Sequence, residues 1–167
     1  MKIRNMTRCA VLSAVITACA WISIPLGHQA ISMQTFGVFL TLGLLGGRDG
    51  CLTVLVYLLL GAAGVPVFSG FRGGIAVLLG PTGGYLWGFL AAGVLYWALE
   101  KRLTPWLNMI PGMLVCYACG TVWYYYMYES GAIWPVIATC VVPYLLPDAI
   151  KLLLAFMLTN RLKQYVR

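Results

Sequence analysis

Apolar residues along this chain gather into six long runs, separated by short breaks that hold most of the charges, glycines and prolines. The runs predict helices over Met6–Leu26, Ile31–Leu45, Cys51–Ala63, Gly83–Leu99, Trp106–Met127 and Val142–Asn160. Pro25 and Gly27 close the first, and the GGRDG turn at Gly46–Gly50 closes the second. Glu100, Lys101 and Arg102 mark the polar end of the fourth. Pro111 starts or bends the fifth, whose Trp123–Tyr128 tract reads as an interfacial aromatic belt. The apolar stretch from Ile133 to Thr159 is longer than one untilted helix needs. Pro135, Pro143 and Pro147 divide it, which predicts a short outer segment and then the sixth span.

One stretch breaks this regularity. Between Gly61 and Phe89, nine glycines together with Pro66 and Pro81 interrupt the pattern too often for an uninterrupted helix. Disorder fits poorly, because Val65, Val67, Phe68, Phe71, Ile75, Val77, Leu78 and Leu79 are too much apolar surface to leave solvated. A phosphate-binding loop fits poorly as well, since no GxxxxGK[ST] occurs and Arg72 is the one cation present. Irregular backbone at a membrane is tolerated where protein or a cavity satisfies its polar groups, so the segment reads as a folded cap or lid between the third and fourth spans.

With 167 residues, 62% hydrophobic and 9% charged, the chain reads as a single polytopic membrane domain covering 1–167. The net charge of +7 comes in short clusters between apolar spans, which suit anionic lipid rather than nucleic acid. With the N-terminus in the cytoplasm, Lys2, Arg4, Arg8, Arg48, Lys101, Arg102, Arg161, Lys163 and Arg167 all fall inside; these are nine of the eleven basic residues. That orientation requires an even number of crossings, both termini inside and the Gly-rich segment outside. Lys2, Arg4 and Arg8 ahead of an apolar stretch with Ala18-Cys19-Ala20 also suggest a cleavable signal peptide. The run continues to Leu26, so a retained first helix is preferred. Of the six cysteines, Cys116 and Cys119 form a CxxC, but there is no second CxxC and the single His28 is distant; buried free thiols are expected, with no metal and no cofactor.

Two features stand out inside the apolar spans. Asp148 and Lys151 are three residues apart on one helix face, and such groups are costly in a bilayer unless they face a cavity or a partner. They form either a structural ion pair or, with a helix restarting at Pro147, a carboxylate site that combines the ammonium with exposed N–H groups. In the first span Ala10, Ala14 and Ala18 make one face nearly smooth, which lets an internal helix or a separate subunit approach closely. There is no Walker motif, HExxH or GxSxG, so transport would need an ion gradient or a partner that supplies energy.

MQTFGVFL at Met33–Leu40, GVPVFSGFRGGIAVLLGPTGGYLWGF at Gly64–Phe89 and PYLLPDAIKLLLA at Pro143–Ala155 closely resemble the BioY family, the biotin-specific substrate-binding (S) components of energy-coupling factor transporters. The resemblance covers nearly the whole chain. It implies an all-α integral membrane protein of the bacterial plasma membrane. In it six transmembrane helices carry a Gly-rich extracellular lid between helices 3 and 4, and both termini are cytoplasmic. It implies no catalysis, a biotin pocket near the outer face, and docking on a transmembrane coupling subunit with two cytoplasmic ATPases. Substrate contacts then fall on Gln34, Gly73, Gly74, Tyr85, Asp148 and Lys151, and the Ala10, Ala14 and Ala18 face meets the coupling subunit. Arg72 and the tyrosines at 124–126 and 128 are not features the family demands. Competing readings are an S component for another small vitamin-like carboxylate and a membrane enzyme acting on an acyl or lipid substrate with Asp148 as base. The enzyme reading lacks a second carboxylate paired with Asp148 and a metal-ligand cluster.

Overall fold

A computed structural model describes residues 3–26, 29–128 and 133–166. Six long helices correspond to the six apolar runs: α1 (Ile3–Trp21), α2 (Gln34–Leu45), α3 (Gly47–Ala62), α5 (Gly83–Leu99), α6 (Pro105–Tyr128) and α8 (Val142–Val166). Two short helices, α4 (Ile75–Leu78) and α7 (Ile133–Cys140), interrupt the α3–α5 connector and precede α8.

Several boundaries move from their expected places, each for a local reason. The first helix stops at Trp21 rather than Leu26. Pro25 cannot donate to the Trp21 carbonyl and pushes Ile24 out of the helical region. The chain instead turns back as an antiparallel hairpin, β1 (Ser23–Leu26) against β2 (Gln29–Ser32), in the register Ser23↔Ser32 to Leu26↔Gln29. Gly27 and His28 lie outside the described residues, as do Lys2 and Arg167. The GGRDG turn contracts to Gly46, whose φ of 82° suits glycine, and Gly47–Gly50 become the first turn of α3. At about 18 Å, α2 is too short to cross a bilayer alone.

The largest correction concerns Pro147. The helix does not restart there: α8 begins at Val142 and runs through both Pro143 and Pro147. Proline is tolerated in a first turn, and Pro147 removes only the bond to the Pro143 carbonyl. Asp148 therefore sits well inside α8, and the expected ring of free N–H groups around it is not formed.

The core is mainly apolar, but the outer surface is apolar too, and a few polar groups are buried. Leu59, Trp97, Leu114, Val122, Leu146, Leu153 and Met157 are exposed, whereas Gln34, Thr41, Thr53, Asn108, Asp148, Lys151 and Thr159 are buried. Apolar surface on this scale on the outside of a bundle is solvated by lipid, not water. By length and composition, the stretch Trp134–Gln164 is long and apolar enough to cross a membrane.

The helices approach through small residues. At the α5/α6 interface a Cβ on Gly88 would stand 3.0 Å from the Cys116 Cα, so the two backbones are in direct contact.

The connector between α3 and α5 folds back over one end of the bundle. Val67 and Phe68 are buried beneath it, with Phe68 edge-on to Tyr57 at 5.6 Å between ring centroids. Its backbone groups find partners, as a non-helical segment at a membrane requires. Phe68 N–H donates to the Arg72 carbonyl (2.9 Å) and Gly74 N–H to the Gly61 carbonyl (2.7 Å). Three indoles, from three different helices, donate to the carbonyls of Pro66, Leu78 and Gly80: Trp21 (2.8 Å), Trp87 (3.3 Å) and Trp123 (3.1 Å). Trp21 also stacks on Phe71 at 4.9 Å.

Gly61 is the point on which this packing turns, because a Cβ there would enter the Phe68 ring. The ring is 1% exposed and wedged against Tyr57, so it has nowhere to move. Gly61→Val is expected to lift the connector at an overpacking cost of about 1–3 kcal/mol, accelerating tryptic cleavage after the exposed Arg72 roughly tenfold. Cleavage at the wild-type rate would show that Phe68 does not hold the connector down.

Candidate ligand site

Beneath the connector lies a cavity with about 730 Å³ of empty space, its open mouth included, walled by α2, the connector, α5, α6 and α8. Four of the six expected contact residues, Gln34, Tyr85, Asp148 and Lys151, line it together although 117 positions separate the first from the last. Its apolar walls come from Phe68, Val77, Leu86, Phe89 and Met113.

Asp148 and Lys151 are each 6% exposed and joined by a 2.7 Å ion pair from Nζ to Oδ1. One turn of α8 brings them together, as their spacing implies. The second carboxylate oxygen, Oδ2, accepts from the Tyr117 hydroxyl at 2.7 Å. Tyr117 lies on α6, 31 residues away, and no spacing rule could have linked it to Asp148. The carboxylate is thus held at both oxygens, and Lys151 keeps two N–H donors for the cavity.

Gln34 stands in the first turn of α2 and is 5% exposed. Its Nε2 donates to the Tyr57 hydroxyl (2.8 Å), which donates in turn to the Val67 carbonyl (2.9 Å). Tyr85 comes from α5, and its hydroxyl donates to the Cys140 carbonyl at 2.8 Å, tying α7 to the cavity wall. A Cβ on Gly120 would clash with the Tyr85 ring, so this glycine gives the ring its room.

Gly73 and Gly74 do not line the cavity. A Cβ on Gly73 would strike the Val65 carbonyl, and Gly74 holds φ at 95° ahead of α4. Both shape the connector. The connector instead presents Ser69 and Arg72 to the cavity. Ser69 Oγ is buried without a hydrogen-bond partner among the described residues, and an orphaned hydroxyl in a cavity wall is a group that a ligand can satisfy. Arg72 is exposed, and among the described residues only its Nε is engaged, by the Ser69 carbonyl at 3.1 Å. The turn that aims it inward places the preceding Phe71 at φ 57°, a conformation that costs a non-glycine residue energy. The run of glycines pointed to unusual backbone here without showing which side chain it would direct inward.

Of the remaining candidates, Cys116 lines the cavity and the alanine face stands apart from it. Ala10, Ala14 and Ala18 are all exposed on α1, while Cys9, Leu12, Ser13, Ile16 and Ala20 form its buried face. Cys116 and Cys119 are free thiols. In the tyrosine tract, Tyr124 is buried against Val136 and Cys140 of α7, whereas Tyr126 is 78% exposed.

A helical bundle with an apolar outer surface and, beneath its connector, a cavity lined by both polar and apolar side chains defines a helical membrane protein with an internal cavity. The chain belongs to the BioY family, whose model matches residues 1–167. It is 41% identical over 166 residues to "Biotin transporter BioY" of Thermotoga maritima, with 96% of each chain covered. It is 34% identical over 163 residues to "Probable biotin transporter BioY" of Pyrococcus horikoshii, with 98% of each covered. The fold is similar to the crystal structure of the S-component for biotin from an ECF-type ABC transporter, with a TM-score of 0.86, 26% identity, and coverage of 98% of this chain and 92% of that one.

Proposed function

We propose that this chain binds biotin in the capped cavity and mediates its uptake as the substrate-binding S component of an energy-coupling factor transporter. The observation that carries this reading is the convergence of Gln34, Tyr85, Asp148 and Lys151 on one cavity in a chain of the BioY family. A transmembrane coupling subunit and two cytoplasmic ATPases would supply the energy, since the chain carries no nucleotide motif of its own. In this reading the long helices are six membrane segments and both termini are cytoplasmic. Arg8, Asp49, Glu100 and Lys163 line one cleft, which supports placing the charged helix ends on one side. The α3–α5 connector is then an extracellular lid that opens to admit biotin and closes over it.

The ligand's orientation follows from charge. Biotin has a ureido ring with two N–H donors and one carbonyl, an apolar body and a terminal carboxylate. Lys151 is neutralised by Asp148, so this pair with Gln34 suits the uncharged ureido ring: Lys151 donates, and Asp148 and Gln34 accept. Arg72 carries no ion pair among the described residues and stands exposed on the connector, where a carboxylate loses least hydration. Ser69 Oγ lies beside it.

Titration of the purified protein with biotin and with its uncharged amide tests both points. The wild type is expected to prefer biotin by about tenfold, the worth of a partly screened charge-assisted hydrogen bond. Arg72→Ala is expected to abolish that preference, while Lys151→Ala weakens both ligands alike. A preference that survives Arg72→Ala but disappears in Lys151→Ala would return the carboxylate to Lys151, and failure to bind biotin would end the reading.

A further inference from the structure

We infer that Tyr57 is a positioning residue that fixes which end of the Gln34 amide meets the ligand, and that it does so only while the connector is docked. This rests on the biotin reading above. Tyr57 is 0% exposed, and its hydroxyl, the only polar group of its side chain, stands between two residues that belong to different parts of the site. On one side, at 2.9 Å, is the Val67 carbonyl, which can only accept. On the other, at 2.8 Å, is the Gln34 amide, which can present either its NH₂ or its carbonyl.

A phenol has one proton. If that proton goes to Val67, the oxygen can only accept, and Gln34 must turn its NH₂ toward Tyr57. If the proton goes to Gln34 instead, the buried Val67 carbonyl loses its donor, and a buried polar group without a partner is the costlier state. The arrangement with two bonds therefore prevails over the arrangement with one. It leaves the Gln34 Oε1 as the group offered to the cavity, an acceptor matched to a ureido N–H.

The same argument ties this acceptor to the connector. Val67 and its neighbour Phe68 are, with Leu78, the connector residues buried in the bundle. When the connector lifts, Tyr57 loses the Val67 carbonyl, its proton becomes available to Gln34, and the amide is no longer held in one sense. An open connector thus no longer fixes the acceptor that a closed one presents, so capture and release are coupled through one hydroxyl.

The probes are biotin and the two cyclic carbamates in which one or the other ureido N–H is replaced by oxygen. The oxygen facing Oε1 is repelled, so the wild type is expected to favour biotin over one of the carbamates by tenfold or more. Tyr57→Phe keeps the ring that packs on Phe68 but frees the amide to flip and donate. Its preference is expected to fall to within about threefold. A loss of biotin affinity with an unchanged preference would overturn the inference and leave Tyr57 a merely structural residue.

Gln34→Glu gives an independent reading should Tyr57→Phe fail to fold. A carboxylate facing an oxygen that can only accept has no donor, so binding is expected to drop at least as far as in Gln34→Ala. Biotin binding by Gln34→Glu at wild-type strength would mean that Tyr57 donates to Gln34, which also overturns the inference. Absence of biotin binding by the wild type would overturn the pocket assignment together with this role, whereas an unchanged preference in Tyr57→Phe overturns the role alone.

Discussion

Asp148→Ala is expected to be the most damaging single substitution in this protein, abolishing detectable biotin binding and lowering stability by about 3–5 kcal/mol. Lys151 is 6% exposed, and among the described residues Asp148 is its one ion-pair partner. Removing the carboxylate leaves an ammonium buried without compensation and deprives the Tyr117 hydroxyl of its acceptor. At about 2–4 °C per kcal/mol for a chain of this size, melting in detergent should fall by roughly 10 °C. Asp148→Asn should be milder, since it retains an acceptor for Tyr117. The double variant Asp148→Ala/Lys151→Met removes both charges, so it should regain most of the lost stability while still failing to bind. Recovery of binding in the double variant would reduce the pair to a structural device with no part in recognition. An additive loss of stability would show that the two groups do not depend on each other.

Ala14→Trp is expected to do the opposite, eliminating uptake in cells while leaving biotin affinity within about twofold of wild type. Ala14 lies on the exposed face of α1 with Ala10 and Ala18, opposite the residues that pack on α2 and α3. Ser13 on the buried side donates to the Thr53 carbonyl at 3.3 Å, so the internal neighbours of α1 are already in place without the alanine face. That leaves the stripe free for a helix of another subunit, whose close approach depends on side chains no larger than a methyl group. An indole there adds bulk where no part of the cavity lies. Uptake would be measured in cells that carry the complete transporter, and affinity on the isolated chain. Parallel loss of both would place the alanine face within the fold of this subunit, and unimpaired uptake would move the docking surface elsewhere.

The chemistry of individual residue types was sufficient for much of the architecture. Six apolar runs predicted six long helices because a chain in lipid must satisfy its backbone internally, and a continuous helix does this within each segment. Asp148 and Lys151 could be paired on paper because a three-residue separation puts them on one face of any helix. The density of glycine between Gly61 and Phe89 marked the segment that cannot be one uninterrupted helix. The three motif stretches carried the family, and with it Gln34, Tyr85, Asp148 and Lys151 as a group.

Other features depended on contacts between residues far apart in the chain, which no local pattern encodes. Pro147 reads as a helix break because an interior proline is costly, yet α8 absorbs it near its first turn, where few bonds remain to be lost. Tyr117 and Tyr57 each look like one more aromatic in an apolar run, and only the packing of α6 on α8 and of the connector on α3 gives their hydroxyls partners 31 and 10 residues away. Gly73 and Gly74 belong to a motif, but their missing side chains serve the connector's own backbone, and the turn they help to shape delivers Ser69 and Arg72 to the cavity. Sequence alone determined which segments are helical and which charged groups are too costly to bury without purpose, because both follow from the cost of exposing polar groups to lipid. The tertiary structure decided which hydroxyl holds which carboxylate or amide, and that Arg72 joins Lys151 at the cavity, because these contacts join residues from separate elements that only packing brings together.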